Sequence, residues 1–323
     1  MKAIQAKQTG GPEVMELVEA PVPQPGPKQA LVRIAASGVN FIDVYFRTGL
    51  YKSDLPIALG MEAAGTVEAI GADVTEVAPG DRVAYAMPRG SYAEYAVVPA
   101  ASLVGIPEKL DFATAAAVML QGMTAHYLTH STYPLKPGDA CLVHAAAGGA
   151  GGLIVQMAKR LGARVFGTVS TEAKAEIARR HGAHETILYT RGDFAAAVKR
   201  STSGRGVDVV YDSVGATTFE GSLNSLRPRG TLALFGQSSG PVPPFDPTVL
   251  NAKGSLYLTR PSLGHYVPTR EELLWRAGDV LGWAATGALQ APIGGVYPLA
   301  QAAAAHRDLE SRRTTGKLLL TVE

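Results

Sequence analysis

The segment Ala145-Ala146-Ala147-Gly148-Gly149-Ala150-Gly151-Gly152 constrains this chain more than any other. A short apolar run, residues 140–144, feeds straight into it, and a helical pattern through Gln156 and Lys159 leaves it. Glycine at a strand-to-helix turn lets backbone amides approach a pyrophosphate and lets the helix pack closely on the strand, while the helix N-terminus favours negative charge. A second apolar strand over residues 164–169 follows at the distance a βαβ unit needs. Strand, turn, helix and strand together predict a dinucleotide site, where an isolated glycine cluster would predict only a turn.

The rest of the chain agrees with an α/β fold in two parts. From about Tyr133 apolar strands alternate with amphipathic helices, which marks a parallel sheet. Strands are predicted over residues 140–144, 164–169, 186–189, 207–212 and 231–235, with 255–259 extending the sheet. Helices over 193–201 and 217–226 each begin near an Asp or Thr able to cap the free amides of a first turn. The first 120 residues instead read as short strands, such as 30–36, between turns of the type Gly10-Gly11-Pro12 and Ala78-Pro79-Gly80-Asp81. After Pro268 a long helix over 271–286 leads to a tail whose strand, 316–322, looks like a return to the first part. The predicted division is residues 1–124, a β-rich domain; 125–262, a doubly wound parallel sheet; and 263–323, a segment completing the first. With 323 residues at 46 % hydrophobic content, the chain has the material for two cores.

The end of the second strand reads Val169-Ser170-Thr171-Glu172-Ala173-Lys174. Proteins that bind NAD usually offer an acid there, about 20 residues past the glycines, to hold the ribose hydroxyls. None stands at the strand end. Ser170 can donate to a 2′-phosphate and Lys174 can neutralise it, so NADPH is predicted over NADH, with Glu172 as the one opposing charge. Tyr189, ending the third strand, is a candidate neighbour of the adenosine phosphate. The plainer alternatives are that Ser170 or Thr171 only caps a helix, that Lys174 is a solvated charge and that Tyr189 is a surface residue.

Composition narrows the partners. A net charge of +2 and a pI near 8.5 single out neither nucleic acid nor an anionic membrane, and no basic and aromatic platform for single strands is seen. No stretch approaches the roughly 20 apolar residues of a membrane span and no cleavable leader is evident, so a cytoplasmic protein is expected. Cys141 is the one cysteine, which excludes an internal disulfide and any zinc site built on several thiolates. His126 and His130 could share a helix face, but no third ligand is spaced to join them. No metal site is expected.

These motifs, together with Gly38-Val39-Asn40-Phe41-Ile42-Asp43, Gly60-Met61-Glu62-Ala63-Ala64-Gly65 and Gly80-Asp81-Arg82-Val83, resemble the medium-chain dehydrogenase/reductase pattern over nearly the whole chain. Asn-Phe-Ile-Asp, His-Ala-Ala-Ala-Gly-Gly, Tyr-Asp-Ser-Val-Gly, Gly-Ser-Leu-Tyr-Leu-Thr-Arg-Pro-Ser-Leu and Leu-Glu-Ser-Arg are similar, within that superfamily, to the zinc-free bacterial quinone oxidoreductases and ζ-crystallin. Where zinc alcohol dehydrogenases carry a Cys and a His, this chain has Asn40 and Met61, poor zinc donors; Glu62, a metal-site neighbour in those relatives, is read as structural. The resemblance implies a GroES-like catalytic domain beside a Rossmann domain. It places the nicotinamide end in the cleft near Asn40, Phe41, Tyr45 and Tyr51, with Thr124 and Tyr127 at the domain junction. It puts Gly148, Gly149 and Ala150 on the pyrophosphate loop, and Ser170, Lys174 and Tyr189 in the 2′-phosphate pocket. Ser213, Phe235, Gly236, Ser238, Arg260 and Arg312 match later cofactor contacts. Arg227 and Arg229 are read as surface residues and His144 as closing a strand. A homodimer is implied, with residues 255–259 placed to pair across a two-fold axis.

Without a metal nothing would stabilise an alkoxide, so simple alcohols are poor expected substrates. A quinone or enone spreads the incoming charge over its own carbonyl, and face-to-face binding with the nicotinamide supplies most of what catalysis needs. Tyr45 and Tyr51 are the candidate catalytic residues, shaping the acceptor site. An alkenal or enoyl double-bond reductase is the alternative enzyme, and a crystallin-like protein that binds NADPH without turnover is the alternative of another class.

Overall fold

The computed structural model describes residues 1–311 and 313–322. It divides into two compact units, Met1–Met123 with Val267–Glu323, and Thr124–Tyr266, so the second unit lies between two segments of the first in sequence.

The second unit is built on six parallel strands in the order Glu185–Leu188, Arg164–Val169, Ala140–Val143, Val207–Asp212, Leu226–Leu234, Tyr257–Thr259. Parallel strands covered on both faces need apolar residues throughout, not alternation. Ala140–Val143 and Val207–Asp212 are accordingly buried at every position. Leu142, Phe166, Val210 and Leu232 form the centre of this core, where truncation of one large side chain typically costs about 2–5 kcal/mol. Strand order reverses at Ala140–Val143, whose neighbours are Arg164–Val169 and Val207–Asp212, and such a switch point leaves a crevice outside the strand ends.

Several elements differ from the sequence reading for local reasons. The fifth strand begins at Leu226, well before residue 231, because Arg229 takes a positive φ of 59° and lets the chain stay paired around that kink. The sixth starts only at Tyr257, because Ser255, at φ 55°, still belongs to the preceding turn. Asp193 caps Phe194–Ser201 through the amides of Ala195 and Ala196. Thr218 precedes Phe219–Ser225 without capping it; its hydroxyl donates to Asp212 instead, a charge-assisted hydrogen bond.

In the first unit a seven-stranded sheet contains, in path order, Ile293–Pro298, Lys317–Thr321, Gln29–Val39, Glu62–Ile70, Arg82–Ala86 and Val104–Gly105, with Tyr95–Pro99 also pairing Gln29–Val39. The tail strand Lys317–Thr321 thus docks antiparallel on Gln29–Val39, matching Leu318 with Val39. One core gathers Val32, Ile34, Val67, Val83, Tyr85 and Val98; another packs Ile4, Val39, Ile57, Tyr92, Leu299 and Leu318. Helix Phe41–Arg47 leaves the end of the long strand at Asn40.

Candidate functional site

In the second unit, strand Ala140–Val143 ends in a turn where Ala145 takes φ 51°, and helix Gly149–Arg160 starts behind Gly148. Gly148 brings no side chain to cap this helix, and its first turn carries no acid, so orphan amides and the positive end of the helix dipole are left for an anion. A Cβ on Gly151 would collide with the Ala145 carbonyl oxygen, which shows how closely helix and turn approach. These features fit a pyrophosphate held by Gly148, Gly149 and Ala150.

The turn rests on a buried polar chain that the sequence reading missed. His144 does not merely close its strand: it is 1 % exposed, with Nδ1 2.8 Å from Thr168 Oγ1 and Nε2 2.9 Å from Ser222 Oγ. Ser222 in turn lies 2.8 Å from Asp212 Oδ2. A carboxylate only accepts, so the Ser222 hydroxyl donates to Asp212 and accepts from His144 Nε2–H, leaving Nδ1 to accept from Thr168. Burial lowers the His144 pKa, against the pull of Asp212, and keeps the ring neutral. Asp212 also accepts from the amides of Val214 and Gly215, so one carboxylate shapes a second turn, to which Ser213 belongs. Phe235 and Gly236 donate their amides to the Asp212 carbonyl and Ser238 donates to that of Ser213, and a Cβ on Gly236 would strike the Ser213 backbone. The signal was available in Tyr-Asp-Ser-Val-Gly, an acid ending a central apolar strand.

At the neighbouring strand end, Ser170 follows Val169 and Lys174 sits half-buried on helix Glu172–His181, its ammonium pushed below the usual lysine range by desolvation. Thr171 caps this helix by accepting from the Lys174 amide, which leaves the Ser170 hydroxyl out of the cap. Tyr189 lies just past Glu185–Leu188 and is 47 % exposed. The Thr190 hydroxyl donates to the Ser170 carbonyl at 3.1 Å, stitching the two strand ends together. Thr124 and Tyr127 share helix Phe112–Tyr127; Tyr127 stacks on Tyr266 with centroids 4.3 Å apart. Arg260 follows strand Tyr257–Thr259. Arg312 lies outside the described residues. Arg227 is corrected from a surface residue: its Nε donates to buried Asp208 at 2.5 Å, which also takes Arg205. Arg229 is exposed.

In the first unit, Asn40 is 3 % exposed and its amide is fully used. Nδ2 donates to Glu62 Oε2 at 2.8 Å and to the Gly38 carbonyl at 3.3 Å. Oδ1 accepts from Gln121 Nε2 at 3.2 Å and from Lys317 Nζ at 2.7 Å. Lys317 also pairs with Glu62, whose second oxygen accepts the Leu120 amide at 2.5 Å. Glu62 is therefore structural. Among the described residues no three His, Cys, Asp or Glu are grouped to hold a metal, and the Lys317 ammonium stands on the Asn40 oxygen that a cation would need.

One turn along, Asp43 Oδ2 accepts from the Asn40 amide at 2.9 Å and from the Tyr92 hydroxyl at 3.1 Å. Tyr92 meets His306 Nε2, and His306 Nδ1 meets Arg47 Nη1, each at 3.0 Å. Arg47 also grips Glu310 through two nitrogens, at 2.8 and 3.0 Å. Arginine only donates, so His306 accepts at Nδ1 and donates from Nε2. Burial, then the Arg47 charge, depress the His306 pKa to about 3. Burial raises Asp43 to about 7, against the Asn40 amide and Lys317. Helix Phe41–Arg47, anchored this way, carries an aromatic group: Tyr45 meets Phe41 at 6.3 Å and Tyr51 edge-on at 5.3 Å, and Tyr51 donates its amide to the Tyr45 carbonyl. The structure thus brings Asn40, Phe41, Tyr45 and Tyr51 into one neighbourhood.

Two family models match the chain in turn. Residues 26–108 match the family model of the alcohol dehydrogenase GroES-like domain, and residues 149–273 that of the zinc-binding dehydrogenases. The chain is 48 % identical over 321 residues to a quinone oxidoreductase of Pseudomonas aeruginosa, covering 99 % of each. It is 44 % identical over 319 residues to a 2-haloacrylate reductase of a Burkholderia species, covering 96 % of each. The crystal structure of Escherichia coli quinone oxidoreductase complexed with NADPH superposes with a TM-score of 0.97 at 43 % identity, covering 99 % of this chain and 100 % of that one. A GroES-like unit joined to a dinucleotide-binding sheet defines a medium-chain dehydrogenase/reductase. Within that class the chain belongs to the quinone oxidoreductase family.

Proposed function

We propose that this enzyme reduces a quinone to the hydroquinone with NADPH as reductant. The observation that carries the reading is the uncapped Gly148 turn beside a strand end that offers Ser170 and Lys174 and no acid. NADPH, when bound, supplies the hydride. The second unit's part is to bind and orient: Gly148, Gly149 and Ala150 take the pyrophosphate, Ser170, Lys174 and Tyr189 the 2′-phosphate, and Ser213, Phe235, Gly236, Ser238 and Arg260 line the way onward. Thr124, Tyr127 and Arg312 complete the set. In the first unit Phe41, Tyr45 and Tyr51 offer an aromatic wall to a flat acceptor. The Asn40 side chain has no hydrogen bond to spare, so its role is to fix the start of helix Phe41–Arg47 and present its neighbours.

A double-bond reductase is the second reading, favoured by the 44 % identity to 2-haloacrylate reductase; it would need the same cofactor set and a proton at the α-carbon. Steady-state rates with NADPH on 1,4-naphthoquinone and on an α,β-unsaturated acid separate the two. Faster turnover on the quinone is expected, and faster turnover on the unsaturated acid would move the assignment to the second reading.

We further place the protein in the cytoplasm; among the described residues no helix is long and apolar enough to cross a membrane. Its proposed partner is a second copy. Tyr257–Thr259 ends the sheet with one edge unpaired and Tyr257 63 % exposed, as suits edge-to-edge pairing. Sedimentation at the mass of a dimer is expected, and Tyr257→Lys should shift it toward the monomer.

A further inference from the structure

The corner that receives the 2′-phosphate in this reading contains a charge that the motifs did not mark. Val169 and Leu188 are register partners, and beyond them the two chains leave side by side. Tyr189 donates its amide to the Val169 carbonyl at 3.3 Å, Thr190 its hydroxyl to Ser170, and Arg191 its amide to the Leu188 carbonyl at 3.0 Å. This tight turn swings Arg191 back over helix Glu172–His181, where its Nη1 lies 3.0 Å from Glu172 Oε1. The other Glu172 oxygen lies 3.9 Å from Arg179 Nη2, and Arg179 also reaches Glu176 at 3.5 Å. Glu172 therefore sits between two guanidinium groups, one residue from Thr171 and two from Lys174.

We propose that Arg191 is a specificity-determining residue for the ribose 2′-phosphate, and that Glu172 holds its guanidinium at the subsite until the phosphate replaces the carboxylate. The exchange is chemically matched. Carboxylate and phosphate both present two oxygens to the guanidinium fork, and the phosphate brings more charge. Both side chains of the Arg191–Glu172 pair are more than half exposed, so water screens the pair and releasing it costs little. The pairing also answers the one residue that spoke against NADPH: with Arg191 and Arg179 on it, Glu172 presents a compensated charge. This inference rests on Ser170 and Lys174 forming the 2′-phosphate subsite.

The test is equilibrium binding of 2′,5′-ADP and of 5′-AMP to the full-length protein and its Arg191→Ala, Arg191→Lys and Glu172→Gln variants. The wild type should prefer 2′,5′-ADP. Arg191→Ala should weaken 2′,5′-ADP by roughly tenfold, the usual weight of one charge-assisted contact, and leave 5′-AMP unchanged; Arg191→Lys should recover part, and Glu172→Gln should tighten 2′,5′-ADP. A wild type that prefers 2′,5′-ADP with an unchanged preference in Arg191→Ala would overturn the role of Arg191 alone. Equal weakening of both nucleotides would overturn it as well, by showing a general effect on the fold. A wild type that binds both equally would overturn the 2′-phosphate reading itself, and Arg191 with it.

Discussion

The proposed sites of the two units are built in different ways. For the pyrophosphate the second relies on backbone, with glycines and an uncapped helix start supplied by one continuous segment, and adds side chains at the neighbouring strand end. The first uses buried side chains brought together from far apart, as in the Asn40–Glu62–Lys317 cluster and the Asp43–Tyr92–His306–Arg47 chain. A backbone site tolerates changes to most surrounding side chains but not to its glycines. A side-chain site depends on every member, because each charged group removed leaves another buried without its partner.

The strongest way to break that contrast is at Lys317. Lys317→Ala leaves Glu62 as a buried charge and should cost about 3–5 kcal/mol of stability, measured by urea unfolding, while Glu62→Gln combined with Lys317→Met should recover most of it. A loss below about 1 kcal/mol, the weight of an exposed pair, would show that the pair is wetter than its burial implies. His144→Ala in the second unit strands the Ser222 and Thr168 hydroxyls and should cost about 2–3 kcal/mol. Because that chain underlies the glycine turn, NADPH affinity should fall with it, which calorimetry would detect.

The glycine turn supplies the converse test. Gly151→Ala adds only a methyl group, yet it meets a backbone oxygen. NADPH affinity should drop roughly 10- to 100-fold, or about 1.4–2.8 kcal/mol, with a smaller change in unfolding midpoint. Affinity equal to wild type would mean that these amides do not carry the phosphates.

Asp43 gives the first unit a pH signature. Its carboxyl moves from 3.8 to about 7 on folding, so the native protein keeps a proton that the unfolded chain releases. This contribution to stability is full below about pH 4, is lost as pH rises to about 7, and is level above that. Asp43→Asn should flatten the dependence of the urea midpoint on pH across that window; an unchanged slope would show that Asp43 ionises normally. Smallest of all, Tyr45→Phe and Tyr51→Phe keep the aromatic wall and remove only the hydroxyls proposed to donate to the acceptor; each should lower turnover a few-fold, about 1 kcal/mol for one lost hydrogen bond, with NADPH affinity intact.

The same contrast explains what the sequence made legible. The parallel strands, the glycine turn and the Ser170–Lys174 strand end are local patterns, so residue order alone placed them. The resemblance singles out Asn40, but linear order does not reveal its partners: Lys317 is 277 residues away, and a single lysine before Leu-Leu-Leu reads as a strand end. Arg47 and His306, 259 residues apart, carry no spacing signal at all, because they meet through the packing of the C-terminal segment, including the docking of Lys317–Thr321 on Gln29–Val39. Glu172 was read as an opposing charge because the turn that folds Arg191 onto it depends on two neighbouring strand ends, which linear order does not display.

The most direct test of the central claim is one titration followed by one addition. The purified protein is titrated with NADPH and with NADH under anaerobic conditions, and 1,4-naphthoquinone is then added to the bound complex while the reduced nicotinamide absorbance is followed. NADPH should bind more tightly than NADH, and the reduced cofactor should be lost rapidly on adding the quinone. Preferential binding of NADH, or a tightly bound NADPH that the quinone leaves reduced, would contradict it.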